Sequence, residues 1–175
     1  MEKVNGLDQK DFTILELLQA DGRMSLTDLG RKVGLSQPAI SERVLRLEER
    51  GVITGYGARI DAQVLGLTSS AIIRLRTTHE HIAACLKRFS EMPQVIDVYR
   101  VTGEDCFVIR VIVSEPSALE AIVDGLARFG TVTTSVVLRT EPTKPIQRSL
   151  VVQAAQGAPS RTVRSRRLSR PAEPL

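Results

Sequence analysis

The chain has no tryptophan, and aromatic residues make up only 3% of it. That scarcity argues against a surface of stacking platforms for single-stranded nucleic acid, where successive bases need aromatic faces. Cysteine is rarer still. Cys85 and Cys106 are too few for a disulfide framework or a cysteine-rich zinc site. No run of about 18 apolar residues occurs, which excludes a membrane-spanning helix. The opening residues, Met1 to Gly6, lack the apolar stretch of a secretory signal, so the expected compartment is the cytoplasm. What is present is 175 residues, 42% hydrophobic and 25% charged, enough for one or two ordinary domains.

The net charge of +4 invites a nucleic-acid reading, but its distribution is uneven. Residues 1–142 carry 17 basic and 19 acidic side chains, whereas residues 143–175 carry seven basic ones and a single acid, Glu173. The positive excess therefore lies in the last 33 residues. That segment lacks the apolar periodicity that would offset ordering entropy, so a disordered basic tail is expected from residue 143. Both a solvated terminus and an accessory nucleic-acid arm fit it.

Residues 1–60 read as three helices. Asp8 is a plausible N-cap for the first, with Leu7, Ile14, Leu15 and Leu18 along one stripe and Asp21-Gly22 as the stop. The second opens with Ser25 and an acid, Asp28, three residues on, the capping-box spacing. It turns Leu26, Leu29 and Val33 inward, and Gly34 ends it. The third is capped by Ser36, carries Pro38 in its first turn, buries Ile40, Val44 and Leu47, and stops at Gly51.

Two helices joined by a short glycine-containing turn, the second with small polar residues outward at its start, make a helix-turn-helix over about residues 26–45. Gln37 and Ser41 suit base edges in the major groove, Arg43 or Arg46 suits guanine or phosphate, and Ala39 permits close approach. Ser25, Ser36 and Glu42 complete the set of candidate contacts to double-stranded DNA. A plain three-helix core with a solvated polar face is the competing reading. The unit holds nine bases and nine acids, so one copy neutralises few phosphates and useful affinity calls for several modules acting together.

Residues 52–60 look strand-like and lead into a linker at 61–69. Beyond it the pattern repeats. A strand at 70–76 is followed by a helix with Ile82, Cys85, Leu86 and Phe89 inward and a strand at 95–101. Then come a strand at 106–113, a helix with Leu119, Ile122, Val123, Leu126 and Phe129 inward, and a strand at 131–139. Strand-helix-strand twice over is the ferredoxin-like βαββαβ plan, here spanning residues 70–142. The overall expectation is α+β, a three-helix (winged) helix-turn-helix domain ahead of that sheet. Its helices cover one sheet face and leave the other open and apolar, with Ile72, Val108, Ile112 and Val137 on it. Such a face is most simply covered by a second copy.

The turn Val101-Thr102-Gly103-Glu104-Asp105-Cys106 joins the central strands. It reads either as an ordinary hairpin turn or as a pocket edge where a carboxylate and free backbone groups hold a small zwitterion. Catalytic and metal sites find little support. His79 and His81 stand at i, i+2, off the i, i+4 spacing of a helical zinc site, and Cys85 falls on an apolar stripe as a buried thiol.

Taken in order, Leu7-Asp8, Ile14-Leu15, Asp21-Gly22-Arg23-Met24-Ser25, Val33-Gly34-Leu35-Ser36, Arg43-Val44, Leu47-Glu48 and Gly51-Val52-Ile53 resemble the N-terminal domain of the Lrp/AsnC (leucine-responsive regulatory protein) family. The second half resembles that family's amino-acid-sensing module, and the likeness extends over residues 7–141. It implies a transcription regulator, not an enzyme, that binds DNA as a homodimer, often assembled into octamers, with an amino acid as its small-molecule effector and no other cofactor. It also implies an effector site between dimers at Gly103, Glu104, Asp105 and Thr134, with Tyr99, Thr102 and Ser135 nearby. Many members read Gly-Asp-x-Asp at the turn, whereas here Cys106 stands in place of the second acid. Two other readings share the two-domain plan. One is an enzyme like the sirohaem decarboxylases, which needs His or Arg placed for tetrapyrrole carboxylates. The other is an amino-acid-binding module with a vestigial helix-turn-helix.

Overall fold

The structure, a computed structural model, describes residues 4–157. These divide into two compact units, one formed by the chain up to Gly57 together with the segment from Thr143, the other by Ala58–Pro142. Among the described residues no helix is long and apolar enough to cross a membrane.

In the first unit α1 runs over Gln9–Ala20, α2 over Leu26–Val33 and α3 over Gln37–Glu49. Asp8 caps α1 in a complete capping box. Its carboxylate accepts from the Asp11 N–H at 2.9 Å, and Asp11 accepts from the Asp8 N–H at 3.0 Å, satisfying two orphan donors at once. Ser25 caps α2, where Asp28 accepts from the Ser25 hydroxyl at 2.7 Å. Phe12, Ile14, Leu29, Ile40, Val44 and Leu47 form the buried centre, with Leu15, Leu18, Leu26 and Val33 packed partly against it.

Two glycines shape the turn between α2 and α3. Gly34 closes α2 with φ +69°, a left-handed conformation that costs a β-carbon-free residue little. Gly30 is buried, and a β-carbon on it would lie 2.7 Å from the Leu35 carbonyl oxygen. The tightness of the turn depends on that missing carbon.

The second unit contains β1 (Ser69–Thr77), a 3₁₀ turn at His79–His81, α4 (Ile82–Ser90), β2 (Val95–Arg100), β3 (Phe107–Val113), α5 (Ala118–Ala127) and β4 (Gly130–Val136). The strands form one antiparallel sheet in the order β2-β3-β1-β4. Alternation along β1 and β3 sends Ala71, Ile73, Leu75, Phe107, Ile109, Val111 and Val113 into the core with α4 and α5, the expected result of period-2 side-chain placement. Leu86, expected inward, is 46% exposed. The short α4 turns a narrow stripe of Ile82, Cys85 and Phe89 to the sheet, and Leu86 falls beside it.

The open sheet face departs from the apolar expectation. The strand registers align Tyr99, Val108, Arg74 and Thr133 in one row and Asp97, Arg110, Ile72 and Ser135 in the next. Arg110 donates to Asp97 at 2.6 Å across β2 and β3. Ile72, Val108 and Ile112 are half-buried islands among these charges.

Two further expectations are corrected. Residues 52–60 form no strand and no wing hairpin follows α3 among the described residues, since a lone extended segment has no ladder partner within one chain. The segment expected to be disordered from residue 143 instead contains a helix, α6 (Arg148–Gly157). Ile146 exchanges two hydrogen bonds with the Gln19 side chain, at 3.1 and 2.8 Å, and Val151 packs against the first unit's core. Contact with α1 supplies the burial that the segment's own sequence pattern lacks. The rest of that expectation, residues 158–175, lies outside the described residues.

Candidate DNA interface and effector site

The outward face of α3 is set by its buried one. With Ile40, Val44 and Leu47 pinned in the core, Gln37, Ser41, Glu42 and Arg46 stand exposed on successive turns, and Ala39 is half-buried between them. Ser36 makes no capping hydrogen bond with its side chain, which leaves its hydroxyl available to a ligand. Ser25, by contrast, is engaged in its own cap. Leu45, absent from the sequence-based set, is 54% exposed on the same helix. An exposed leucine beside an inward valine is the signal that could have revealed it, and a thymine methyl is the kind of group it suits.

Arg43 does not belong to that face. Its guanidinium donates to Asp11 at 2.7 Å and to Asp8 at 2.8 Å, both on the α1 side. The Asp11 side chain is only 5% exposed. Burial works against the Asp8 carboxylate, but hydrogen bonds from the Asp11 N–H and from Arg43, with the charge of Arg43, outweigh it and hold its pKa below the ordinary value. Arg43 itself is pushed up, burial being outweighed by the same two carboxylates. This cation is spent on a helix-to-helix lock. Arg46, 3.7 Å from Asp11 and about half exposed, is the arginine on α3's outer face.

In the second unit the turn between β2 and β3 presents Thr102, Gly103 and Glu104 to solvent, with Asp105 half-buried. Asp105 is 3.8 Å from Arg74 of β1, a partner the sequence reading missed. The alternation of β1, which leaves Arg74 among apolar residues, was its only trace. Cys106 turns inward, donating its N–H to the Leu75 carbonyl at 2.9 Å and its thiol to the Thr77 carbonyl at 3.1 Å.

The remaining effector candidates are spread out within one chain. Thr134 pairs with Ile73 and so lies on the helix-facing side, while Ser135 pairs with Ile72 on the open side. Both stand on the edge strand β4, about 10 Å from β3 given two interstrand spacings. Tyr99, 57% exposed, shares the open face with Ser135 but lies three strands away. His81 packs edge-on to Phe129, and Cys85 is fully buried, its thiol pKa raised chiefly by that burial.

A capped helix-turn-helix with a polar recognition face, joined to a ferredoxin-like sheet with a polar turn, defines a DNA-binding regulator with a ligand-sensing domain. Comparison with known proteins agrees. Residues 7–48 match the AsnC-type helix-turn-helix domain, and residues 70–145 match the Lrp/AsnC ligand-binding domain. The chain is 36% identical to the HTH-type transcriptional regulator YezC of Bacillus subtilis over 140 residues, covering 79% of this chain and 99% of that one. It is 34% identical over 137 residues to the regulator LrpA of Mycobacterium tuberculosis, covering 77% of this chain and 91% of that one. The solved structure of Bacillus subtilis LrpC superposes with a TM-score of 0.74 at 30% identity, covering 79% of this chain and 99% of the other. A Neisseria meningitidis regulator solved with L-Met shares the fold, with a TM-score of 0.76 at 24% identity, covering 82% of this chain and 99% of that one. The chain belongs to the Lrp/AsnC family of transcriptional regulators.

Proposed function

We propose that this regulator reads a duplex operator through Gln37, Ser41 and Arg46 of α3, with Ser36 on a flanking phosphate, and that an amino acid held at the sensing domain changes how it does so. The observation that carries the reading is the division of α3. Its inner face is buried and locked to α1, and its outer face presents exposed hydrogen-bonding side chains at helical spacing, of which Arg46 alone has a charge partner, Asp11 at 3.7 Å. Major-groove recognition requires that combination of rigid placement and free polar edges.

The effector reading rests on the turn with Glu104 and Asp105 and on the match to a ligand-binding domain. Glu104 suits an ammonium group, and the backbone around Gly103 suits a carboxylate. Because Tyr99, the turn, Thr134 and Ser135 are dispersed within one chain, a second copy is needed to bring an equivalent set together. A homodimer, or a larger ring of dimers, therefore completes the site. The mixed open sheet face is a surface for such assembly, since its islands of Ile72, Val108 and Ile112 gain by burial and its Asp97–Arg110 pair fixes orientation. Effector binding then acts by differential affinity for two assembly states that space the recognition helices differently.

Selection of bound duplexes from a random pool, repeated with each of the twenty amino acids and with light scattering on the same samples, tests this. Enrichment of paired half-sites, with spacing or affinity shifted by at least one amino acid, is the expected result. The same pool and the same assembly under every condition would remove the effector step and leave the DNA reading standing.

A further inference from the structure

Helical periodicity puts Glu42 on the side of α3 opposite Ile40, Val44 and Leu47, the residues that hold the helix in its core. Pro38, Leu45 and Glu49 share this outermost strip, all of them exposed, while Gln37, Ser41 and Arg46 flank it. The part of α3 that goes deepest into a groove therefore carries two carboxylates and no cation. Among the described residues nothing neutralises Glu42. Arg46, at the i+4 spacing of a helical ion pair, stands 3.7 Å from Asp11 instead. Arg43 next to it is bound to Asp8 and Asp11. Leu45, at i+3 and 54% exposed, offers no donor.

An anion so placed works against approach to a polyanion, since like charges brought together at an interface are costly. The unit is formally neutral over residues 1–60, so no surplus of cations masks it. Within the major groove only the exocyclic amino groups of cytosine and adenine donate. Adenine sets an N7 acceptor beside its amino group, which repels a second carboxylate oxygen. Cytosine instead sets an apolar C5 edge there, the kind of surface that suits Leu45.

We infer that Glu42 determines specificity at one base pair of the half-site, its carboxylate accepting from the N4 amino group of a cytosine, with Leu45 against the pyrimidine C5 edges beside it. The role is largely one of exclusion. Thymine presents O4 to the carboxylate, and guanine presents O6 and N7, all acceptors. A carboxylate stripped of water without gaining a donor lowers affinity for every such site. Glu42 thus differs in sign from Gln37, Ser41 and Arg46. Removing it loosens the choice of sequence but strengthens indiscriminate binding.

This inference rests on the operator-reading function proposed above, and the experiment separates the two. Duplexes are selected from a random pool by the full chain, by Glu42→Gln and by Glu42→Ala. Affinities are then measured for the duplex the parent selects, for copies with each C·G pair in turn replaced by U·A, and for an unrelated duplex. The replacement exchanges the N4 amino group for a carbonyl and leaves C5 unsubstituted. Thermal melting reports folding, and two variants of different size keep the comparison valid if one of them melts early.

The parent is expected to lose at least about tenfold in affinity when one particular C·G pair is replaced. Both variants are expected to reduce that factor below about threefold, Glu42→Gln because an amide accepts from N4 and donates to O4 alike. Both should also bind the unrelated duplex about two- to fivefold more tightly at low salt. An unchanged selected motif in both variants overturns the inference, and so does a uniform weakening on every duplex. Preference lost at an adenine instead overturns the assignment to cytosine. A full chain that enriches no duplex at all overturns the operator reading.

Discussion

Arg43 of α3 donates to the buried carboxylate of Asp11 on α1 at 2.7 Å, and the same guanidinium reaches Asp8, the cap of α1, at 2.8 Å. The start of the first helix and the middle of the recognition helix are thereby held as one piece. An arginine that its sequence position offers to DNA is spent on orienting the helix that reads DNA.

Replacing Arg43 with alanine removes the closer of the two cations beside buried Asp11 and leaves only Arg46, 3.7 Å away. Breaking a buried pair from one side is strongly destabilising, and since Arg43 retains some exposure a loss of about 2–4 kcal/mol is expected, read by chemical denaturation. Arg43→Lys recovers part of it, one ammonium replacing a guanidinium that spans two carboxylates. Base preference, measured below the melting temperature, stays that of the parent. A changed preference with unchanged stability would return Arg43 to the DNA face.

Acid should loosen the same lock. The Asp8 pKa is lowered in the folded state, so its contribution to stability is fully present above the ordinary value of 3.8 and is lost as pH falls through the lowered one. Melting temperature against pH should therefore fall less steeply below about pH 4 in Asp8→Asn than in the parent. Parallel curves would show that Asp8 has no part in the acid limb.

Gly30→Ala tests the turn. In an open helix this change gains about 1 kcal/mol from propensity, but here the new carbon meets the Leu35 carbonyl oxygen at 2.7 Å. A net loss of about 1–3 kcal/mol is expected. Stability equal to or above the parent's would mean that the turn yields freely.

Gln37→Ala, Ser41→Ala and Arg46→Ala are expected to leave melting temperature within a degree or two, because all three side chains are exposed. If they read bases, each weakens operator binding by about 1–3 kcal/mol and relaxes preference at one position. A uniform loss across sequences would mark a phosphate contact instead.

Asp105→Asn removes the charge that faces Arg74 at 3.8 Å. The pair is partly solvated, so stability should change by less than about 1 kcal/mol. Titration with the active amino acid should show at least tenfold weaker binding. Glu104→Gln, fully exposed at the same turn, should act likewise if the ammonium group lies there.

Much of the architecture could be read from spacing. The i, i+3, i+4 stripes of Leu29, Ile40, Val44 and Leu47 and the alternation along β1 and β3 report burial through the geometry of the backbone itself, which differs little between proteins. Caps were legible for the same reason. Asp8 and Ser25 act within one turn of their own position, and local chemistry is visible locally, whereas Ser36 holds the N-cap position of α3 without a side-chain cap bond.

Where the reading failed, the missing information was a partner distant in the chain. Arg43 and Asp11 are 32 residues apart, and nothing in the alternation of α3 distinguishes an arginine aimed at phosphate from one aimed at a buried acid. Leu86 fell outside a stripe whose width depends on how α4 sits on its sheet. Asp97 and Arg110 sit on a face that looked apolar because pairing across strands is set by register. Helix α6 looked like part of a featureless tail because its apolar contacts are supplied by α1.

The order of amino acids thus establishes the helix-turn-helix and the βαββαβ plan, which follow from periodicity and local capping that need no distant partner, and its motifs carry the resemblance to the family. The tertiary fold decides which charges remain free. Whether a guanidinium is neutralised in the core or left for a ligand depends on the position of the opposing carboxylate in space, and that position exists only once the chain has folded.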